Sequence, residues 1–520
     1  MNQPPTRSPD LSPKRLLLVA SSPSDLTELE DTARVLATRG HQVTVAYFYS
    51  GSSRQAHTSS LVKISTLGGS SDRLRSLSID VDQTLRTIRA RIRSDSSNPG
   101  KTSLKPTHRS LIDRLRNWMR ENGTLAHYHR LLRTVREVRR QLSVFLMLRM
   151  PLVYMIVAAL QLLRIYKFYG VMFGALLEQF DYDTILVPED VVGPFWPTLI
   201  KTGLERNIPT IVLPYTLANR EEAFKSLRGQ ADFQTRYNRL AAHLFPKWRM
   251  KQDGYDIVRL PAGHILVHEW LGISPPDPWM MNSGAARMIC VDSQASFDYF
   301  QRAGIPASRL QITGSVSQDS LARQLQSREA GLAALRHELG LTGNKPMLLI
   351  SGCPNQLAGS IPHCEFSSMQ DVATHLGETL RQLADDYHLV VRPHPNYLEF
   401  GDFLRPWGVV STQVPTSHLV PLCDLFVAFA SATIRWAAAC GIPTINYDIF
   451  HYGYNDFANV KGVRTVCASS DFVSLVGTMK PDSDTYQEAR SLSQSDAAYW
   501  SVMDGQCIDR IEGVIDAACC

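Results

Sequence analysis

The chain alternates short apolar runs with longer amphipathic ones. Leu16–Ala20 is a continuous apolar run, the pattern of a strand buried on both faces. A polar turn follows, Ser21-Ser22-Pro23-Ser24, and Ser24 or Asp25 can cap a helix reaching to about Arg39. Gly40 stops that helix, and Val43–Tyr47 reads as the next strand. Strand, helix and strand in this order predict a right-handed β-α-β unit with parallel strands. Similar strands recur at Thr184–Val187, Thr210–Leu213, Met288–Val291 and Leu310–Thr313. A second series runs Pro346–Ile350, His388–Val391, Asp424–Val427 and Thr444–Asn446, with helical stretches between. This rhythm predicts an α/β protein of two doubly wound, Rossmann-like domains.

The two series meet at Thr313-Gly314-Ser315, which places a first domain over 1–315 and a second over 316–485, with the hinge at Gly314 to Asp319. Residues 486–520 read as a helical tail able to pack back across that hinge. An insertion at about 73–175 interrupts the first domain. Its stretch Ser94–Gly100 is a linker, and Gly100-Lys101-Thr102 resembles the end of a phosphate-binding loop. Asp95 stands where the first glycine of such a loop belongs and no strand precedes it, which excludes that reading. Tyr128, Leu131, Val135, Val138 and Leu142 recur at helical steps, with Arg133, Arg136 and Arg140 on other faces, predicting a basic amphipathic helix. It leads into Leu142–Leu163, where 18 of 22 residues are apolar. That length could span a bilayer. Yet the strands on either side must share one sheet, and Arg149 and Pro151 interrupt the run. A helix lying in the headgroup plane and a buried helical hairpin are the two readings that remain.

At 520 residues the chain exceeds one core, in keeping with two domains. With 44% hydrophobic and 20% charged residues it is neither disordered nor a many-span membrane protein. Its net charge of +5 conceals an asymmetry: Arg73–Lys167 holds 20 Lys/Arg against 6 Asp/Glu, so the rest of the chain leans acidic. Arginines beside Leu, Phe and Met suit an anionic membrane surface bound through 128–167, while a solvated basic face over a core helix is the plainer alternative. The long apolar run favours lipid over nucleic acid as the partner. The nine cysteines all lie at or after Cys290 without a C-x-x-C pair, and Met1–Lys14 lacks the apolar core of a signal peptide. Both point to a reduced, cytoplasmic setting, on the inner face of the plasma membrane if the basic segment binds lipid.

Open parallel sheets bind ligands beyond the carboxyl ends of their strands, so residues just after predicted strands are the candidates. Glu189 and Asp190 follow Thr184–Val187, and one of the two could serve as a general base. The competing reading has Asp190 capping a helix toward Gly203. His388–Val391 ends in Arg392-Pro393-His394-Pro395-Asn396, where two prolines stiffen a turn carrying donors suited to phosphate oxygens. Asp424–Val427 is followed by Ser431 and Thr433 at a helix start, a place for an anion or for simple capping. Gly352, after the first strand of the second domain, would allow close phosphate approach. His264 and His268 have the spacing of a helical metal pair, but Ile265-Leu266-Val267 between them reads as a strand, and no metal is assigned.

These pieces, taken in order, resemble the GT-B glycosyltransferases and their relative UDP-N-acetylglucosamine 2-epimerase. The resemblance rests on Leu16–Asp25, Arg39-Gly40-His41-Gln42-Val43, Gly304-Ile305-Pro306 leading to Thr313-Gly314-Ser315, and Asp424 through Gly441-Ile442-Pro443. Within that superfamily, Arg392–Asn396 and Ser431–Thr433 are most similar to the His-Pro and Ser/Thr motifs of bacterial sialyl- and Kdo-type transferases of capsule and lipopolysaccharide assembly. The resemblance implies that His394 holds the donor phosphate, that Ser431 or Thr433 holds the nucleotide, and that Glu189 or Asp190 is the base of an inverting transfer. Val191-Val192 separate the acidic pair from Gly193, and Arg435-Trp436 stand where the epimerase pattern has paired glutamates. The expectation is a glycosyltransferase moving sugar from a nucleotide-sugar donor to a cell-envelope polysaccharide or glycolipid, with neither metal nor cofactor. A nucleotide-sugar 2-epimerase or hydrolase and a non-catalytic component of a polysaccharide assembly complex are the alternatives.

Overall fold

The computed structural model describes residues 12–49, 73–81, 149–215, 220–252, 254–353, 355, 357, 364–453 and 457–519. In the first domain the strands are β1 (Arg15–Ala20), β2 (Gln42–Tyr49), β3 (Leu74–Asp80), β4 (Thr184–Val187), β5 (Thr210–Val212), β6 (Arg249–Gln252), β7 (Tyr255–Val258), β8 (Met288–Val291) and β9 (Leu310–Ile312). The second domain holds β10 (Met347–Ser351), β11 (His388–Arg392), β12 (Val410–Ser411), β13 (Leu425–Ala428), β14 (Thr444–Tyr447) and β15 (Val463–Val466). A seven-stranded sheet is ordered β3-β2-β1-β4-β5-β8-β9 and a six-stranded one β12-β11-β10-β13-β14-β15. Every pairing in both is parallel; among the described residues only the β6-β7 hairpin is antiparallel. Each chain path begins at an inner strand and winds outward both ways, the doubly wound topology expected of the sequence.

Local chemistry explains the boundaries. The helix Pro23–Thr38 is capped by Ser22, whose hydroxyl accepts from the Asp25 N–H at 3.1 Å while the Asp25 carboxylate accepts from the Ser22 N–H at 3.0 Å. The cap is thus Ser22, with Asp25 completing a reciprocal capping box, and not Ser24 or Asp25 themselves. Gly40 ends the turn after this helix at φ +104°, a conformation that a side chain resists.

The presumed insertion is only partly an insertion. Leu74–Asp80 forms edge strand β3 in register with β2, so residues assigned to the extra segment belong to the sheet. Leu142–Leu148 and the basic stretch at 128–142 lie outside the described residues. From Pro151 to Glu178 the chain is one 28-residue helix, neither a hairpin nor wholly buried. Its second half inserts Phe168, Met172, Phe173, Leu176 and Leu177 into the first-domain core. Its first half buries Met155 and Ala159 but presents Leu152, Val153, Ile156, Val157 and Leu160, each at least 36% exposed, to solvent. By length and composition Leu152–Glu178 could cross a membrane, though its second half is committed to the sheet.

The tail does return across the hinge. After Asp484–Trp500, the helix Cys507–Cys519 packs Ile508, Ile511, Val514 and Ile515 against Leu16, Leu18, Leu29 and Leu36 of the first domain. Within this contact the buried Glu512 carboxylate accepts hydrogen bonds from Arg39 at 2.8 Å and from His41 Nε2 at 2.9 Å. Arg39 also pairs with Asp509. Burial alone would raise the Glu512 pKa, but the His41 and Arg39 hydrogen bonds outweigh it and hold the group below its ordinary 4.5. A depressed carboxyl stabilises the fold above its unfolded value and loses that contribution as pH falls through the folded value. Glu512→Ala is expected to lower unfolding free energy by about 3 kcal/mol at neutral pH, because it leaves the buried His41 ring without its acceptor and the buried Arg39 guanidinium with only the half-exposed Asp509. Urea unfolding should show this difference shrinking below pH 4.5.

Candidate functional site

In each sheet the crevice opens where the winding reverses. In the first sheet this is between β1 and β4, whose carboxyl ends carry Ser21–Asp25 and Pro188–Asp190. In the second it lies at β10, flanked by β11 and β13, whose ends carry Gly352, Arg392–Asn396 and Ala430–Thr433. The two carboxyl edges face one another. Arg435, two residues past Thr433, donates to the Tyr215 carbonyl at 3.3 Å just beyond β5. Its guanidinium also lies 3.7 Å from the Asp292 carboxylate just beyond β8. Lys225 of the first domain donates to the carbonyls of Tyr452 and Gly453, beyond β14, at 3.1 and 2.8 Å. The sequence reading treated Arg435 only as a departure from a pattern. A lone cation within the apolar run Ile434–Ala439 was the available signal that it reaches elsewhere.

The turn after β11 is organised around its own polar groups. His394 Nδ1 accepts from the Asn396 N–H at 3.2 Å, so the neutral ring carries its proton on Nε2. Burial, and then the nearby Arg392 charge, holds the His394 pKa below 6.5, leaving a neutral N–H donor at pH 7. Arg392 is used mainly as a brace: its Nη1 donates to the Pro393 carbonyl at 2.6 Å and to Gln413 Oε1 at 3.2 Å. Gly352 supports the same turn. Its N–H donates to the Arg392 carbonyl at 2.9 Å, and a Cβ there would lie 2.9 Å from Pro393 Cα and 3.0 Å from the His394 nitrogen. The absent side chain is therefore required by backbone packing, a reason different from the phosphate approach expected of it.

One strand over, Ser431 Oγ and Thr433 Oγ1 lie 2.9 Å apart, and Ser431 Oγ accepts from the Thr433 N–H at 3.3 Å. Ala430 is left-handed at φ +46° and is pinned by its N–H to Asn446 Oδ1 at 2.9 Å. The helix that follows, Ile434–Ala439, is short. Since β11 and β13 flank β10, the His394 and Ser431 turns stand two strand spacings apart, about 10 Å.

The acidic pair divides. Asp190 does not cap a helix, since the next one begins at Trp196 after Phe195. It is 4% exposed and held on both sides: its N–H donates to Asn282 Oδ1 and its carbonyl accepts from the Asn282 N–H, both at 2.8 Å. A Cβ on Gly284 would meet the Asp190 carboxylate at 2.2 Å, so that glycine forms the lid of its socket. Burial pushes the Asp190 pKa up to about 6, against weaker opposition from the Ala286 N–H and the Arg309 charge. Glu189 is half-buried and accepts from Trp196 Nε1 at 2.8 Å. Burial, with further contributions from Asp25 and Asp190, raises its pKa as well. Of the pair, Glu189 is the more exposed group.

His264 and His268 lie on a helix, Ala262–Leu271, not on a strand. His264 Nδ1 pairs with the Tyr166 hydroxyl at 3.0 Å, and His268 is packed between the Trp248 and Tyr166 rings. Both belong to the core between that helix and Pro151–Glu178.

Separate roles for the two carboxylates can be measured. A buried acid with a raised pKa costs stability once ionised, so stability falls as pH rises from about 4 toward about 6, by about 3 kcal/mol for this shift. Asp190→Asn should flatten that portion of the stability profile, read as wild type minus variant, and leave turnover within a few-fold. Glu189→Gln should lower turnover by about 10² or more if it is the base.

No protein-family model matches the chain, and no curated protein does. Among solved structures it is similar to the wall teichoic acid polymerase TagF, at 16% identity and a TM-score of 0.35, over 45% of this chain and 58% of that one. It therefore spans somewhat over half the length of that polymerase structure. UDP-GlcNAc 2-epimerase from Neisseria meningitidis, bound to UDP-GlcNAc, aligns over 97% of this chain and 100% of its own at 10% identity and a TM-score of 0.46. A glycosyltransferase from Rickettsia africae ESF-5 aligns over 97% and 98% at 8% identity and a TM-score of 0.40. In architecture the chain is two parallel, doubly wound α/β domains with a tail that crosses back to the first.

Proposed function

We propose that the protein is a glycosyltransferase that takes a nucleotide sugar in its second domain and transfers the sugar to a cell-envelope polysaccharide or glycolipid held by the first. The observation that carries this reading is the opposition of the two carboxyl edges, joined by Arg435 beside the Ser431–Thr433 hydroxyls. In this reading a neutral His394 donor and the hydroxyl pair line one wall of a gap between the domains, with Glu189 on the other. Departure of a sugar from its nucleotide leaves negative charge on a phosphate oxygen, and a fixed Nε2–H can meet it without reorganisation. The 10 Å between the His394 and Ser431 turns suits a ligand with phosphate at one end and nucleoside at the other. Glu189, with its raised pKa, is suited to receive the acceptor hydroxyl's proton as the new bond forms. Domain closure about Gly314 would exclude water from the gap.

A 2-epimerase or hydrolase draws on one specific observation, the Asp25 carboxylate close enough to Glu189 to raise its pKa. Solvent hydrogen incorporated at the sugar's C2 with no acceptor present would favour that reading.

The helix Pro151–Glu178 supports a setting at an anionic membrane. Its exposed apolar face, Leu152 to Leu160, is followed by exposed Arg164 and Lys167 and preceded by Arg149, an arrangement suited to acyl chains bordered by lipid phosphates. This would bring the acceptor domain to a lipid-linked substrate on the inner face of the plasma membrane.

His394→Ala should lower turnover of a cognate nucleotide sugar by about 10² to 10³ with the fold intact. It should also abolish the melting-point rise that a nucleoside diphosphate gives the wild type, and a variant with full activity and full protection would overturn the donor assignment. Leu152→Asp with Ile156→Asp should prevent flotation with anionic liposomes, while the wild type floats.

A further inference from the structure

Beside the acidic pair lies a cavity that this reading does not use. Val191 and Val192, directly after Asp190, form one wall, and Pro278, Trp279, Met280 and Met281 another. Arg259, the residue following β7, lines it as well. Its backbone is anchored by an N–H donated to the Trp248 carbonyl at 2.9 Å. The residue is half-buried, and its Nε is buried without an acceptor among the described residues. The indole N–H of Trp279, a residue only 1% exposed, is also buried without an acceptor. Asp256, three residues before Arg259, is paired with Arg249, and Asp277, two before Trp279, accepts from the Trp279 backbone N–H at 3.0 Å and pairs with Arg220 at 3.6 Å.

Taking a guanidinium Nε and an indole N–H out of water with no acceptor for either is costly, and natural chains avoid it unless something else supplies the acceptor. Burial depresses the Arg259 pKa with no opposing carboxylate to restore it. The cavity volume is about 30 Å³, and a single water needs about 10–15 Å³. Two or three oxygen-sized atoms therefore fit, and a sugar ring does not. Walls of valine, proline and methionine keep the local dielectric low, which strengthens attraction for a matching anion.

We propose that Arg259 and the Trp279 indole N–H form a subsite for one oxyanion group of the acceptor, a phosphate or a carboxylate. The Val191–Val192 wall follows Glu189–Asp190 directly along the chain, so under the glycosyltransferase reading an anion seated there would hold the acceptor on the segment that carries the base. The inference rests on the glycosyltransferase reading for the word acceptor; the anion site itself stands independently of it.

The test titrates inorganic phosphate and, separately, acetate into the full chain by calorimetry, using wild type, Arg259→Met, Arg259→Lys and His394→Ala. The wild type should bind at least one anion. Arg259→Met should weaken that binding at least tenfold without lowering the melting temperature, because methionine replaces the aliphatic stem and removes the unpaired charge. Arg259→Lys, which keeps charge but loses the planar fork, should weaken it several-fold. His394→Ala should leave the anion affinity within twofold, so that failure at the donor turn and failure here read differently. Preference for phosphate would assign a phosphorylated acceptor, and preference for acetate a carboxylated one. No anion binding by the wild type, or affinity unchanged in both Arg259 variants, would overturn the proposal. So would a melting temperature well below wild type in Arg259→Met, since that would make the guanidinium a structural group.

Discussion

Every pairing in the two large sheets is parallel, and that single constraint decides where chemistry can sit. Parallel strands need long crossovers, and the crossovers here place each strand's carboxyl end on the same edge of its sheet. Turns that are far apart in sequence, such as Arg392–Asn396 and Ala430–Thr433, become neighbours along that edge. The first sheet does the same for Ser21–Asp25 and Glu189–Asp190. Arg435 and Lys225 then tie the second domain's edge to the first domain beyond β5 and β8.

The chain invests its strongest buried contacts in keeping that confrontation in place. The C-terminal helix Cys507–Cys519 leaves the second domain and completes the core of the first, with Glu512 fastened to Arg39 and His41. Asp319, on the helix after the hinge, accepts from the Cys507 N–H at 3.1 Å, so the outgoing and returning connections are joined where they cross. Arg435 and Lys225 then bridge the gap itself through main-chain carbonyls. Contacts of this kind to exchangeable acceptors can break and re-form as the domains move, whereas the buried tail cannot leave without unfolding part of the first core.

Charge is distributed accordingly. Around the gap, buried or half-buried titratable groups are held away from their ordinary ionisation: Asp190 and Glu189 raised, His394 lowered. Two glycines next to these groups, Gly284 against the Asp190 carboxylate and Gly352 under the His394 turn, and Gly314 at the hinge against the Val502 carbonyl, mark places where a neighbour comes too close for a side chain. Elsewhere, the helix Pro151–Glu178 divides its length between a core half and an apolar half left in solvent, flanked by Arg149, Arg164 and Lys167.

Sequence alone determined most of the strands, though not β6, β7, β12 or β15, because continuous apolar runs such as Leu16–Ala20 and Leu425–Val427 have few alternatives to a doubly covered sheet. It also located the turns after them, since proline, glycine and hydroxyl residues restrict the backbone locally. It did not separate Glu189 from Asp190, because adjacent residues share every local property and differ only in what distant segments place over them: Trp196 beside one, Asn282 and Gly284 around the other. It assigned β3 to an insertion, because a half-covered edge strand lacks the apolar signature of an inner one. It passed over Arg435 and Arg259 for a related reason. An arginine's role depends on whether an acceptor, a carboxylate or nothing at all lies at the end of its side chain, and only the folded chain decides that.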